Sequence, residues 1–287
     1  IAIVLGVAPL LLVSILYTQY FYPSTIFIGK AWLNLLVLLI IAFLLLYWYK
    51  FSWHRMENKG FHLTIGLAGT LILLFIPLIF IVNVVSMLYP EKWEAAQGFF
   101  HSLFHYPQIW QRYMHFILAS FAVTGLIMYF WNKRKLTQWN EKHQTDEEAA
   151  ATLESMEQQT STYEAGKSFG IKAAIWATVP QLVIGFLVLF SLEKDIRLLY
   201  MGDDLFLTGL LVISILLSVV LIVMLFMLMK TETQKWLISS MATLVLIIGL
   251  MGWMRHEVRE SYIEPYRADN PPTIEQEPIK IGEIIIE

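Results

Sequence analysis

Seven stretches of this chain stay apolar for about the thickness of a membrane: 1–21, 30–50, 62–87, 109–131, 170–191, 205–229 and 235–254. A bilayer core is spanned by about 20 residues of helix. Most of these runs are apolar all round, whereas a helix packed in water keeps a polar face. The pattern predicts an all-α fold, an integral membrane bundle of about seven transmembrane helices covering residues 1–256. The composition agrees, with 57% hydrophobic and 15% charged residues and a mean hydropathy of +0.60, outside the range of ordinary soluble domains. The chain has no cysteine, which excludes disulfides, thiolate-bound metals and covalent c-type haem attachment within it. A net charge of −3 spread over membrane and loops carries no sign of a nucleic-acid partner. The first residue, Ile1, opens directly into an apolar run without the basic start or cleavage site of a signal peptide, as expected where the numbering begins inside a protein.

An odd number of spans puts the two ends on opposite sides. Lys and Arg accumulate in cytoplasmic loops. The loops at 51–61, 132–169 and 230–235 are the richer set, mainly through Lys133, Arg134 and Lys135, and the opposite loops carry only Lys30, Lys92, Lys194 and Arg197. The start of the chain is therefore expected in the cytoplasm and the tail in the periplasm of a bacterial inner membrane. Residues 136–165 read as a polar, acidic helical connector on the cytoplasmic side. Residues 89–106, with Trp93, Phe99, Phe100, Phe104 and Tyr106, read as an interfacial segment with aromatics at headgroup depth. Residues 257–287 read as an extended periplasmic tail whose prolines and IKIGEIIIE end suit strand pairing with a partner. No internal repeat is evident.

Charge is almost absent from the spans, and the acidic residues on which proton relays and transporter pathways depend are missing. Asn83 and Gln181 are expected to hydrogen-bond between helices, and Pro77 and Pro180 to kink theirs. His115 stands out, about two turns into its span. Ala119 and Ala122 follow one and two turns on, with Gly125 beyond, so that face is low enough to admit a flat ring. A neutral imidazole there serves either as an axial haem ligand, which removes the cost of an unpaired ring nitrogen, or as a core histidine bonded across helices. Residue type and position leave both readings open. His54 and His62 are expected to be solvated on the cytoplasmic side, and His143 to carry nothing. His256, between Arg255 and Arg259, reads as an interfacial anchor, or as a receiver of carboxylates from a partner or a haem propionate.

The stretch PQIWQRYMHFILASFAVTG, residues 107–125, resembles the start of the fifth helix of subunit I of cytochrome bd quinol oxidases. There a proline, an aromatic and a basic residue precede a histidine, followed by a small pair and a Thr-Gly. IAIVLGVAPLLLVSILYTQYF is similar to that family's second helix, and NVVSMLYPEKW to the end of its fourth. The chain also resembles the related bacterial membrane proteins that accompany c-type cytochromes. The resemblance implies that His115 ligates a low-spin haem b near the periplasmic face, with Arg112 and Ala119 beside it. It also implies quinone or quinol as a reactant.

Departures from the family are equally informative. The first helix, with the histidine of the high-spin haem, has no counterpart. The third-helix glutamates of the oxygen-reducing site are missing from AWLNLLVLLIIAFLLLYWYK. The quinol-binding loop shrinks to SLEKDIRLLYMGDD, and Leu207 stands where the family's second haem ligand, a methionine, belongs. Met201, His101 or His105 would have to supply that ligand. The expectation is a membrane subunit of a bacterial respiratory complex that relays electrons between the quinone pool and periplasmic c-type cytochromes. It would sit among lipid and other membrane subunits, within a quinol-oxidising assembly, and would not itself reduce oxygen. The alternative is a haem-free structural anchor for a periplasmic cytochrome complex. A secondary transporter fits poorly, for want of buried charge and repeats.

Overall fold

The computed structural model describes residues 11–143 and 153–269. Helical residues 11–16 pass through a turn at Tyr17 into α1 (Thr18–Phe27). The following helices are α2 (Gly29–Phe51), α3 (Lys59–Ser86), the short α4 (Phe99–His105), α5 (Ile109–His143), α6 (Leu153–Phe190), the short α7 (Lys194–Leu198), α8 (Leu205–Thr231) and α9 (Gln234–Asp269). No strand occurs among the described residues. Six of these helices, α2, α3, α5, α6, α8 and α9, are long and apolar enough to cross a membrane. The remaining expected span, 1–21, lies half outside the described residues.

The packing is a set of antiparallel hairpins. α5 runs along α6, α2 along α3, and α8 along α9, with α6 also against α8 and α3 against α5. The α5–α6 crossing rests on two glycines. A Cβ added at Gly125 would lie 2.6 Å from the Gly170 carbonyl oxygen, and one at Gly170 would lie 2.7 Å from the Gly125 carbonyl oxygen. Small residues at such a crossing let two backbones touch in a membrane, where apolar burial gives helices no preference for each other over lipid. Gly125 therefore closes a helix contact and does not extend the low face below His115.

α5 and α6 contain 35 and 38 residues. At 1.5 Å per residue each is over 50 Å long, beyond a hydrocarbon core of about 30 Å. Their polar ends account for the described parts of the 136–165 connector. α2 is the opposite case, with Ala42 its only buried residue. Its exposed leucines and isoleucines suit contact with acyl chains.

Two buried clusters mark the two ends of the bundle. One gathers Tyr17, Phe21, Tyr89, Tyr106, Tyr200 and Tyr262 where the 87–108 and 191–204 connections lie. The other surrounds Tyr129, Ile171, Leu225, Leu228 and Leu237, near the end where Lys167 pairs with Glu232 at 2.7 Å. The interfacial segment is a 3-10 turn (Pro90–Lys92) followed by α4, which buries Phe99 and leaves Phe100 and Phe104 exposed. Trp93 Nε1 donates to the Ser86 carbonyl at 2.9 Å and so satisfies one of the free carbonyls at the end of α3. Asn83 accepts from the Ser24 hydroxyl at 2.9 Å, the interhelical bond expected of it. In the turn that Pro77 interrupts, the Tyr113 hydroxyl donates to the Leu74 carbonyl at 2.9 Å and ties α5 to α3.

Two expectations change. His62 is not solvated: it is 1% exposed, stacks on Tyr49 with ring centroids 4.3 Å apart, and its Nε2 lies 2.7 Å from the Tyr49 carbonyl. That carbonyl belongs to the last turn of α2, where no helical donor remains. Since it can only accept, His62 Nε2–H donates and locks α2 to α3. The tail boundary also shifts. α9 continues through Pro265 to Asp269, held by the Tyr262 and Ile263 side chains buried in the first cluster, so 257–269 is helix rather than extended chain. The rest of the tail lies outside the described residues, as do 1–10 and 144–152.

Candidate functional site

Between the two clusters lies a cavity of about 520 Å3. Its walls come from α5 (Arg112, His115, Phe116, Ala119, Ala122), α6 (Thr178, Gln181, Gly185, Leu189), α8 (Leu211, Ser214, Ser218) and α9 (Leu244, Ile248, Met251, Met254, Arg255), with Tyr200 at one end. The volume and the mostly apolar lining, with a few convergent polar groups, are those of a small-molecule site.

His115 stands on this wall where α5 faces α6. A Cβ at Gly185 would lie 4.0 Å from His115 Cε1, so the glycine leaves room beside the ring. Its Nε2 is 3.4 Å from Gln181 Nε2, beyond the usual length of such a bond. Its buried Nδ1 has no partner among the described residues. Neither ring nitrogen is well satisfied, which is unusual for a buried polar side chain. Ala119 and Ala122 follow on the same wall, as the helical spacing requires.

Arg112 enters the cavity from a built support. Gln108 is 2% exposed and carries a backbone φ of +70°, a left-handed conformation that costs a non-glycine residue about 1 kcal/mol or more. Its amide nitrogen donates to the hydroxyls of Tyr89 at 2.6 Å and Tyr262 at 2.9 Å. Its Oε1 accepts from Arg112 Nε at 3.0 Å and from Nη2 at 2.6 Å. Tyr262 in turn accepts from the Glu193 backbone N–H at 3.0 Å. This network joins α5, α9 and both connections at one end of the cavity. Burial, then the Tyr262 hydroxyl, pushes the Tyr89 phenol above its ordinary value. Burial, then the Glu257 charge, does the same to Tyr200, whose hydroxyl donates to the Met254 carbonyl at 2.9 Å.

Arg255 is the second cation on the wall. It has no hydrogen-bond or ion-pair partner among the described residues, and the wall contains no Asp or Glu. Both guanidiniums share this wall with His115. Next to them, Arg259 stacks over Tyr17 at 4.4 Å, and the Tyr17 hydroxyl donates to Glu260 at 2.8 Å and lies 2.8 Å from His256 Nδ1. That second group ties the turn at Tyr17 to α9, and none of its members lines the cavity.

The residues suggested as a partner for His115 are not brought to it. Met201 lies in a π-helical turn (Leu199–Asp203), is 54% exposed and is absent from the cavity wall. The turn places Tyr200 there instead. His101 and His105 stack on each other with centroids 4.9 Å apart on α4, and neither lines the cavity. The methionines that line the cavity are Met251 and Met254 of α9. Among the described residues, no group of three or more His, Asp or Glu side chains is placed to hold a metal ion.

Fold and site together define a multi-pass, all-α membrane bundle with an intramembrane cavity that carries one histidine and two arginines. No family model, curated protein or solved structure matches the chain.

Proposed function

We propose that this chain is a membrane subunit of a bacterial respiratory complex that holds a low-spin haem b in the cavity beside His115. In that role it relays electrons between the quinone pool and periplasmic c-type cytochromes. The observation that carries the reading is His115 itself, an imidazole with two poorly satisfied nitrogens on the wall of a cavity large enough for a cofactor. The donor set fits the group: a neutral histidine for iron, Met251 and Met254 as wall-lining sulfurs, small residues at 119, 122 and 185, and two arginines for carboxylates. A bound haem supplies one-electron chemistry. The chain's own part is to orient the imidazole, keep water from the apolar part of the cavity and neutralise acidic groups at its charged end.

The charged end of the cavity lies opposite the end carrying Lys133 and Lys167. By the positive-inside rule it faces the periplasm, on the side from which a c-type cytochrome would accept or deliver an electron. The absence of acidic residues from α2 supports a relay without oxygen reduction by this chain. A second reading, a haem-free anchor for a periplasmic cytochrome complex, draws on the approach of Gln181 to His115, 3.4 Å between their Nε2 atoms, as a long interhelical contact of a core histidine.

The two readings separate on the visible spectrum of His115→Ala in the assembled complex. Loss of the b-type absorbance supports the relay. An unchanged b-type signal in properly assembled protein sinks the assignment of His115, and absence of any b-type signal in the wild-type chain leaves the anchor.

A further inference from the structure

We infer that Arg112, held in place by Gln108, and Arg255 form a receptor for carboxylates at one end of the cavity, so that its ligand is a largely apolar body ending in acid groups. The inference rests on the reading of this cavity as a cofactor site, but not on iron ligation by His115.

Each arginine lacks an acid. Gln108 occupies the Nε and Nη2 edge of Arg112. Among the described residues neither Arg112 Nη1 nor the Arg255 guanidinium has a hydrogen-bond partner. Two like charges sharing a mostly apolar wall repel each other, and an anion held between them would relieve that repulsion. A chain selected only for stability would place a carboxylate here or replace an arginine by an apolar residue. This chain instead holds Gln108 in a left-handed backbone conformation and spends two tyrosine hydroxyls in fixing Arg112. Fixing the fork before binding lowers the entropy lost when a ligand docks. The walls beyond the arginines, from Leu211 and Leu244 to Met251, are mostly apolar, with Thr178, Ser214 and Ser218 among them, so the ligand's body is largely apolar too.

The test uses metal-free protoporphyrin IX, a planar diacid, and its dimethyl ester, with binding to the full chain in detergent read by porphyrin fluorescence. The diacid is expected to bind at least about tenfold more tightly than the ester, since a charge-assisted hydrogen bond is worth about one decade or more of affinity. Arg112→Gln and Arg255→Gln are each expected to lose about that factor for the diacid and little for the ester. Arg112→Lys, which keeps the charge and loses the fork, should fall between. Arg259→Gln, a neighbouring cation off the cavity wall, should match the wild type. Helical circular dichroism and a single elution peak show that each variant is folded. Equal binding of diacid and ester, or diacid binding that both glutamine variants leave intact, overturns the receptor. An arginine-dependent preference for the diacid, combined with an iron porphyrin spectrum that lacks a histidine ligand, retains the receptor and rejects the haem relay.

Discussion

Replacing Gly125 by alanine tests the contact that positions His115 against α6. The added Cβ would meet the Gly170 carbonyl oxygen at 2.6 Å, the Ala174 nitrogen at 2.7 Å and the Ala174 Cα at 3.2 Å, where ordinary contact begins at 3.4 Å. All three are backbone atoms, so no side chain can rotate away and α5 must move from α6. Overpacking of this kind costs about 1–3 kcal/mol. Gly209→Ala is the control, because a Cβ there meets nothing within 4 Å and removing a helical glycine should gain up to about 1 kcal/mol. Reversible unfolding in mixed micelles, followed by helical circular dichroism, should show Gly125→Ala destabilised and Gly209→Ala neutral or stabilised. Gly170→Ala should cost about as much as Gly125→Ala. The double variant should cost less than the two together, since helices already parted accept the second methyl. If Gly125→Ala is as stable as Gly209→Ala, the two backbones do not touch and the wall between His115 and Gln181 is not set by this crossing.

His62→Phe keeps the ring stack but removes the bond to the Tyr49 carbonyl, and should cost about 1–3 kcal/mol in the same unfolding assay while leaving any b-type spectrum unchanged. Gln108→Gly relieves the left-handed backbone but frees Arg112, Tyr89 and Tyr262. A net loss of about 1–3 kcal/mol is expected, and a variant more stable than the wild type would show the network to be unimportant. Burial, then the Glu91 charge, pushes the Tyr106 phenol up from 10.0 to about 12. Its contribution to stability is whole below pH 10 and is lost as pH rises toward 12. Ultraviolet titration should accordingly find part of the tyrosine ionising only as the bundle unfolds, and ordinary titration of every tyrosine in folded protein would contradict the burial.

The bundle was legible because a helix-length run without charge has few uses outside a membrane, and the spans from 30 onward each coincide with a helix. His115, Ala119 and Ala122 were legible as a stripe, since helical spacing alone puts them on one wall. Gly125 lies on the adjoining face, and only the position of Gly170, 45 residues later in the sequence, decides that it packs rather than opens. His62 has charged neighbours in sequence, and its burial depends on an orphan carbonyl at the end of another helix. Met201 was proposed from proximity along the chain, but the π-helical turn aims Tyr200 at the cavity. Arg255 was legible as a receiver of carboxylates, but its company on the wall, Met251 one turn before it and Met254 next to it on α9, depends on how α9 faces α5 and α8. Gln108 gave no signal, because its partners Tyr89 and Tyr262 lie 19 and 154 residues away in the sequence.

The most direct measurement is the pyridine haemochrome spectrum of the purified, folded wild-type chain, quantified against protein. A b-type spectrum at one haem per chain, lost in His115→Ala, is the expected result. A folded chain that carries no haem, from cells that supply haem to their other b-type cytochromes, contradicts it.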